Sequence, residues 1–238
     1  LENNRVYKLV DTCSAEFESK TPYLYSTNGT SNDDTATKQK KVIVIGSGPN
    51  RIGQGIEFDY CCVHGVSSLK ENGYEAIMIN SNPETVSTDY DTADKLYFEP
   101  LSWNEVKSVL DREKPDSVII QLGGQTPLKL AKEIHNAGFN IAGSSLNVID
   151  STEDRDLFQK LCTSQDIKQP ISKIANNEKE LVESVKEIGF PVLLRPSYVL
   201  GGRAMRVVQT DEELNNYLNI LASADEDGNP FKSGPLLV

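Results

Sequence analysis

The apolar run Lys41-Val-Ile-Val-Ile45 passes directly into Gly46-Ser-Gly-Pro-Asn-Arg-Ile-Gly-Gln-Gly55, and a helical pattern follows from Ile56. A β-branched run, four glycines within ten positions and a helix start read as strand, glycine turn, helix. That order constrains the chain to a layered α/β fold, in which such a turn sets backbone N–H groups and a helix N-terminus at a strand's carboxyl end. The dinucleotide fingerprint requires glycine where Arg51 stands, and no phosphate loop ending in Gly-Lys-Ser/Thr is present. The spacing therefore places any bound nucleotide elsewhere.

Strand and helix patterns alternate from there. We expect strands over residues 41–45, 75–80, 117–121 and 140–142, a short edge strand over 95–98, and helices over 56–71, 103–113 and 127–137. This repetition predicts a parallel sheet with right-handed crossovers. A second unit starts near Ser151, where Ser151-Thr-Glu-Asp154 has the form of a helix start for a helix running to about residue 164. Strands over 171–175, 191–195 and 205–208 and helices over 178–188 and 211–222 follow, and Pro235-Leu-Leu-Val238 reads as a strand beginning. Ahead of the first strand, residues 1–30 form an amphipathic stretch carrying Tyr7, Phe17, Tyr23 and Tyr25. Residues 31–40 hold no large apolar side chain and read as a linker. With no initiator Met and an apolar end, both termini read as cut from something longer.

A net charge of −11, with Lys38-Gln-Lys-Lys41 as the one basic cluster, argues against a nucleic-acid surface. No apolar stretch approaches the ~18 residues of a membrane span, and no signal peptide is recognisable. Cys13, Cys61, Cys62 and Cys162 have neither Cys-x-x-Cys spacing nor a disulfide framework, so they read as reduced thiols in a cytoplasmic protein. Asn28-Gly-Thr30 reads as an exposed turn, and the adjacent Cys61-Cys62 as buried small apolar residues.

Three segments could carry chemistry. Ile79-Asn-Ser-Asn-Pro-Glu-Thr-Val-Ser-Thr-Asp-Tyr-Asp91 and Gln121-Leu-Gly-Gly-Gln-Thr-Pro127 both follow strands at the carboxyl edge, where α/β proteins bind ligands. The same residues also suit plain polar loops that cap helices. In Leu193-Leu-Arg-Pro-Ser-Tyr-Val-Leu-Gly-Gly-Arg-Ala-Met205, Arg195 ends an apolar strand and the Gly201-Gly202 pair lies in a loop returning to the next. A guanidinium on so rigid a base suits bidentate phosphate binding, and glycine amides can close over phosphates. A surface hairpin with an incidental arginine would read the same way. Arg155, flanked by Asp154 and Asp156, reads on its own as a surface ion pair, and His64 and His135 as structural residues.

Taken together, Gly48-Pro-Asn-Arg-Ile-Gly-Gln-Gly-Ile-Glu-Phe-Asp-Tyr60, Asn82-Pro-Glu-Thr-Val-Ser-Thr-Asp-Tyr-Asp91, Gly123-Gly-Gln-Thr-Pro-Leu-Lys129, Glu153-Asp-Arg155 and Arg195-Pro-Ser-Tyr-Val-Leu-Gly-Gly-Arg203 resemble the large (synthetase) subunit of carbamoyl phosphate synthetases. The motifs resemble the start of its second, carbamoyl phosphate-forming half. The resemblance implies the end of a helical oligomerisation region and a linker over 1–36, a Rossmann-like pre-ATP-grasp domain over 37–150, and the N-terminal part of an ATP-grasp domain, truncated, over 151–238. It implies an ATP-dependent ligase that phosphorylates carbamate to carbamoyl phosphate for pyrimidine or arginine biosynthesis, inactive as this piece alone. Arg155, Arg195, Gly201 and Gly202 would hold ATP, and Arg203 in the closing loop would be catalytic. The Mg²⁺ ligands are expected beyond Val238, so no metal ligand is assigned.

Gly53–Glu57 would help wall a passage for carbamate instead of holding ATP. Implied partners are ATP, bicarbonate or carbamate, and a glutamine amidotransferase subunit or domain, in an oligomeric parent. The competing readings are a dinucleotide-dependent oxidoreductase, another ATP-grasp carboxylase, and a non-catalytic regulatory or interaction module. Against the oxidoreductase, Asn80 and Asn82 stand where a ribose-binding acid is expected.

Overall fold

The computed structural model describes residues 5–12, 21–48, 55–196, 205–223, 231 and 234–238. Its chain forms two units, Leu1–Phe158 and Gln159–Val238. In the first unit, β1 (Arg5–Leu9), β2 (Tyr23–Asn28) and β3 (Lys41–Ile45) precede α1 (Glu57–Glu71). Then come β4 (Glu75–Asn80), β5 (Lys95–Phe98), α2 (Trp103–Glu113), β6 (Ser117–Ile119), α3 (Gln125–Leu128), α4 (Ala131–Asn136) and α5 (Leu146–Glu153).

The strands make one six-stranded sheet in the order β1-β2-β5-β4-β3-β6, parallel except for the antiparallel β1–β2 pair. All five residues of β3 and all six of β4 are buried, as both faces of a parallel sheet require. Ile43, Ile45, Ile77 and Ile79 pack with Val106, Val109 and Leu110 of α2 and Ile134 of α4. Their alternate neighbours Val44 and Met78 pack with Cys62 and Val66 of α1 on the opposite face. The α/β class and parallel sheet are therefore as expected from the sequence.

Several local features differ. The end of a helical region expected over 1–36 is replaced, among the described residues, by β1 and β2. Fully buried Tyr7 and Leu24 carry this hairpin onto the sheet, with Tyr7 edge-on to Tyr97 at 4.9 Å between ring centres. Because β2 covers it, β5 is an interior strand instead of an edge. The helix expected over 127–137 is divided into α3 and α4, and the strand over 140–142 is reduced to a single bridge, Val118 to Ile141.

The helix start expected at Ser151 falls three residues later. Ser151 and Thr152 lie inside α5 and donate their hydroxyls to Val148 O, at 3.0 and 2.9 Å. It is Asp154 whose carboxylate accepts the Leu157 N–H at 2.9 Å and caps α6 (Arg155–Ser164).

The second unit holds β7 (Ile174–Ala175), α7 (Glu178–Ile188), β8 (Val192–Pro196), β9 (Arg206–Val208), α8 (Asp211–Ser223) and β10 (Leu236–Leu237). Its sheet is antiparallel, in the order β7-β10-β8-β9. Val192, Leu194 and Val208 face Leu181 and Val185 of α7 and Leu214, Tyr217 and Leu218 of α8. The expected final strand is β10, which fills the gap between β7 and β8.

Candidate functional site

In the first unit, the strand order reverses direction between β3 and β6, the position where open α/β sheets form a crevice. Here the two strand ends meet each other. Ser47, fully buried, donates its hydroxyl to Gly123 O at 2.7 Å. A Cβ on Gly123 would fall 2.3 Å from Ile45 O and 3.1 Å from Gly46 Cα. Backbone and Ser47 thus bring the ends of the two strands into direct contact. The rest of the turn, residues 49–54 with Arg51 and Gly53, lies outside the described residues.

The loop after β4 is built around buried Asn80. Its amide donates to Ser87 Oγ at 3.2 Å and its carbonyl accepts the Asn82 N–H at 2.9 Å. Asn82 in turn accepts the Glu84 N–H at 2.9 Å, and buried Asp59 on α1 accepts the Ser87 N–H at 3.2 Å. Gly48, at φ +53°, lets the chain pass Asn82 where a Cβ would come within 2.9 Å of its Nδ2. Asn80 is therefore a scaffold residue holding a turn. Glu57 stands in the first turn of α1 with its carboxylate against Gly55. Exposed His64 lies against Tyr60, 4.2 Å between ring centres. Neighbouring Cys62 is buried, and that burial pushes its thiol up to about 12, with the nearby Asp59 charge adding to the effect.

The second unit offers a different surface. With α7 and α8 covering one face of its sheet, the other face presents Leu193, 47% exposed, Val207, 55% exposed, and the exposed Arg195. Leu193 and Val207 are direct cross-strand partners, and Arg195 pairs with Leu237 of β10. A guanidinium on a strand beside an open apolar strip suits a ligand with a flat apolar part and an anionic part. The apolar half of this face was not singled out in the sequence, although Leu193 and Leu194 in succession signal a strand apolar on both sides.

Gly201, Gly202 and Arg203 lie outside the described residues. Arg155 is the first residue of α6 and belongs to the first unit, whereas Arg195 belongs to the second. Among the described residues, no three His, Cys, Asp or Glu side chains are grouped to hold a metal ion. Nor is any helix among them long and apolar enough to cross a membrane.

The family profile described as "Carbamoyl phosphate synthase preATP-grasp domain" matches residues 38–151, and that described as "Carbamoyl-phosphate synthase L chain, ATP binding domain" matches residues 154–237. A carbamoyl phosphate synthase large chain of Archaeoglobus fulgidus is 56% identical over 213 residues, 90% of this chain and 20% of the relative. That of Deinococcus deserti is 57% identical over 221 residues, 93% of this chain and 22% of the relative. This chain thus spans about a fifth of the length of the curated relatives it matches.

Among solved structures, the biotin carboxylase domain of Hydrogenobacter thermophilus 2-oxoglutarate carboxylase, in complex with MgADP, ADP and bicarbonate, superposes with a TM-score of 0.59. It is 20% identical and is matched over 84% of this chain and 44% of that one. The ADP complex of an N5-carboxyaminoimidazole ribonucleotide synthetase gives a TM-score of 0.57 at 12% identity, over 85% of this chain and 47% of that one. At these identities the likeness is one of fold.

Proposed function

Because this chain belongs to the carbamoyl phosphate synthase large-chain family, we propose that it is the start of the half that phosphorylates carbamate to carbamoyl phosphate at the expense of ATP. The observation that carries this reading is the open face of the second unit, where Arg195 stands beside Leu193 and Val207. The apolar pair gives a base a surface to lie on, and the guanidinium gives phosphate oxygens two parallel donors. ATP, bound with Mg²⁺, would supply the phosphoryl group that carbamate accepts. In such a transfer, positioning and charge neutralisation dominate. Arg195, fixed by its strand, would orient the phosphates. Arg155, Gly201 and Gly202 would complete the nucleotide contacts, with Arg203 at the reacting group.

The first unit would then serve the passage of carbamate and not nucleotide binding, with Gly53–Glu57 at its wall. The close contact between the ends of β3 and β6 supports that division of labour. A glutamine amidotransferase subunit or domain would supply nitrogen, and the parent would be an oligomeric cytoplasmic enzyme of pyrimidine or arginine biosynthesis. The test is Arg195→Ala in the intact parent, assayed as ATP formation from ADP and carbamoyl phosphate. A loss of about 10²-fold or more with unchanged thermal unfolding is expected for a phosphate contact strengthened in the transition state. A near-wild-type rate in the folded variant would leave Arg195 a structural residue.

A further inference from the structure

The ten residues that read as a linker, 31–40, are fastened to the amino edge of the first sheet by a row of buried charges. Parallel register sets Lys41 of β3 directly beside Glu75 of β4, with Lys95 at the start of β5. Lys41, Glu75, Lys95 and Glu113 are all at least nine-tenths buried. Glu113, at the end of α2, accepts from Lys41 Nζ at 3.0 Å and Lys95 Nζ at 3.2 Å, and also from the Tyr97 hydroxyl. The strap adds further partners to this row. Lys95 Nζ pairs with Asp34 at 2.7 Å and donates to Thr35 O at 3.1 Å. Lys41 Nζ donates to Thr37 O at 2.9 Å, the Thr37 hydroxyl donates to Glu75, and Arg112 donates to Asp34 O.

The other end of the strap grips the hairpin: Asn32 accepts the Tyr7 N–H at 2.7 Å, and Asp33 donates its N–H to Tyr7 O at 3.0 Å. Because β1 runs against the parallel strands, its first residue, Arg5, stands at the carboxyl edge. There it pairs with Glu105 at 3.1 Å and with buried Glu99 at 3.9 Å, just past β5. Glu99 donates its N–H to Asn80 O at 3.2 Å, the residue around which the carboxyl-edge loop is built.

We propose that residues 5–12 and 21–37 act as a clasp on the first unit, latched at its amino edge by the Lys41–Glu75–Lys95–Glu113 row and hooked at its carboxyl edge by Arg5. The row is balanced, with Lys41, Lys95 and Arg112 facing Asp34, Glu75 and Glu113. Buried charges of this kind are costly when one partner leaves, which makes the strap's seated position strongly preferred over a free one.

The experiment is amide hydrogen exchange on the full chain, comparing Asp34→Ala and Asn32→Ala with the wild type. Both substitutions lie on the strap and leave the Lys41–Glu113 and Lys41–Glu75 pairs intact. Loss of one charge-assisted or buried hydrogen bond should speed exchange at the Tyr7 and Asp33 amides by about tenfold. Amides of β3 and β4 should keep their wild-type rates. Unchanged exchange at Tyr7 and Asp33 in both variants would mean that the charges hold no latch. An equal increase throughout β3 and β4 would mean that the strap is ordinary core without separate action. Either result overturns the proposal.

Discussion

Replacing Gly123 by Ala probes the contact that closes the β3–β6 crevice. The added Cβ would lie 2.3 Å from Ile45 O and 2.6 Å from Pro127 Cγ, and the carbonyl is fixed backbone. Reaching ordinary contact requires the turn after β6 to withdraw from β3 by about 1 Å, an overpacking strain of about 1–3 kcal/mol. The withdrawal also strains the 2.7 Å bond from the Ser47 hydroxyl to Gly123 O, whose loss in a buried setting costs about 1 kcal/mol more. The expected destabilisation is about 3 kcal/mol, a large share of a typical domain's stability.

Gly73→Ala is the control. Gly73 has φ +78° but nothing within 4 Å of a Cβ, so only the backbone penalty of about 1 kcal/mol applies. Trp103, the one tryptophan in the chain, opens α2 and packs on the first unit's core, so its fluorescence during urea unfolding reports that unit. The midpoint should fall about three times as far for Gly123→Ala as for Gly73→Ala, with equal slopes. If Gly123→Ala were no worse than the control, the crevice would not be closed by backbone contact, and the argument against a nucleotide there would fail.

Two further predictions concern buried groups of the first unit. Burial alone would raise the Glu113 carboxyl, but hydrogen bonds from Tyr97 and Lys41 and the charges of Lys95 and Lys41 hold it below the usual glutamate range. A depressed carboxylate contributes stability that is complete above its unfolded value, about 4.3, and is lost as pH falls through the folded value. The unfolding free energy of Glu113→Gln from urea curves should therefore lie below wild type at pH 7 by about 3 kcal/mol, converging as the pH drops below about 4; a gap that stays constant would contradict this. In the adjacent cysteine pair, brief alkylation at pH 8 followed by peptide fragmentation should find exposed Cys61 modified and Cys62, buried with its thiol pushed up to about 12, intact. Equal modification of both would show that α1 does not bury Cys62.

Elements with strong periodicity were legible in the sequence. The strands at 41–45 and 75–80 and the helices at 103–113 and 178–188 have the expected bounds, because their apolar patterns admit one period. The hairpin β1–β2 was hidden because its two short strands are separated in sequence, and only Tyr7, Val6 and Leu24 are buried in them. At residue 151 the hydroxyls bond back to Val148, and Asp154 takes the cap that Ser151 also fits by spacing. The charge row was invisible for a different reason. Lys41, Glu75 and Lys95 each look like an ordinary polar flank of an apolar strand, and only strand register brings them together over Glu113. For the site, the sequence pointed to Arg195 on a strand, but the open apolar face beside it emerges only when β8 is paired with β9.

On the proposed function, nucleotide rests on the second unit's open face and not on the first unit's glycine turn. A titration of the chain with ADP, followed by backbone amide chemical shifts, tests it directly. Weak binding in the millimolar range, about −4 kcal/mol, is expected of a chain that spans about a fifth of the length of the curated relatives it matches. Shifts should centre on Leu193, Arg195 and Val207, while Gly46 to Gly48 and Gln121 to Gly124 stay in place, and NADH should produce no matching response. Shifts centred on Gly46 to Gly48, or NADH binding with equal strength, would contradict the account.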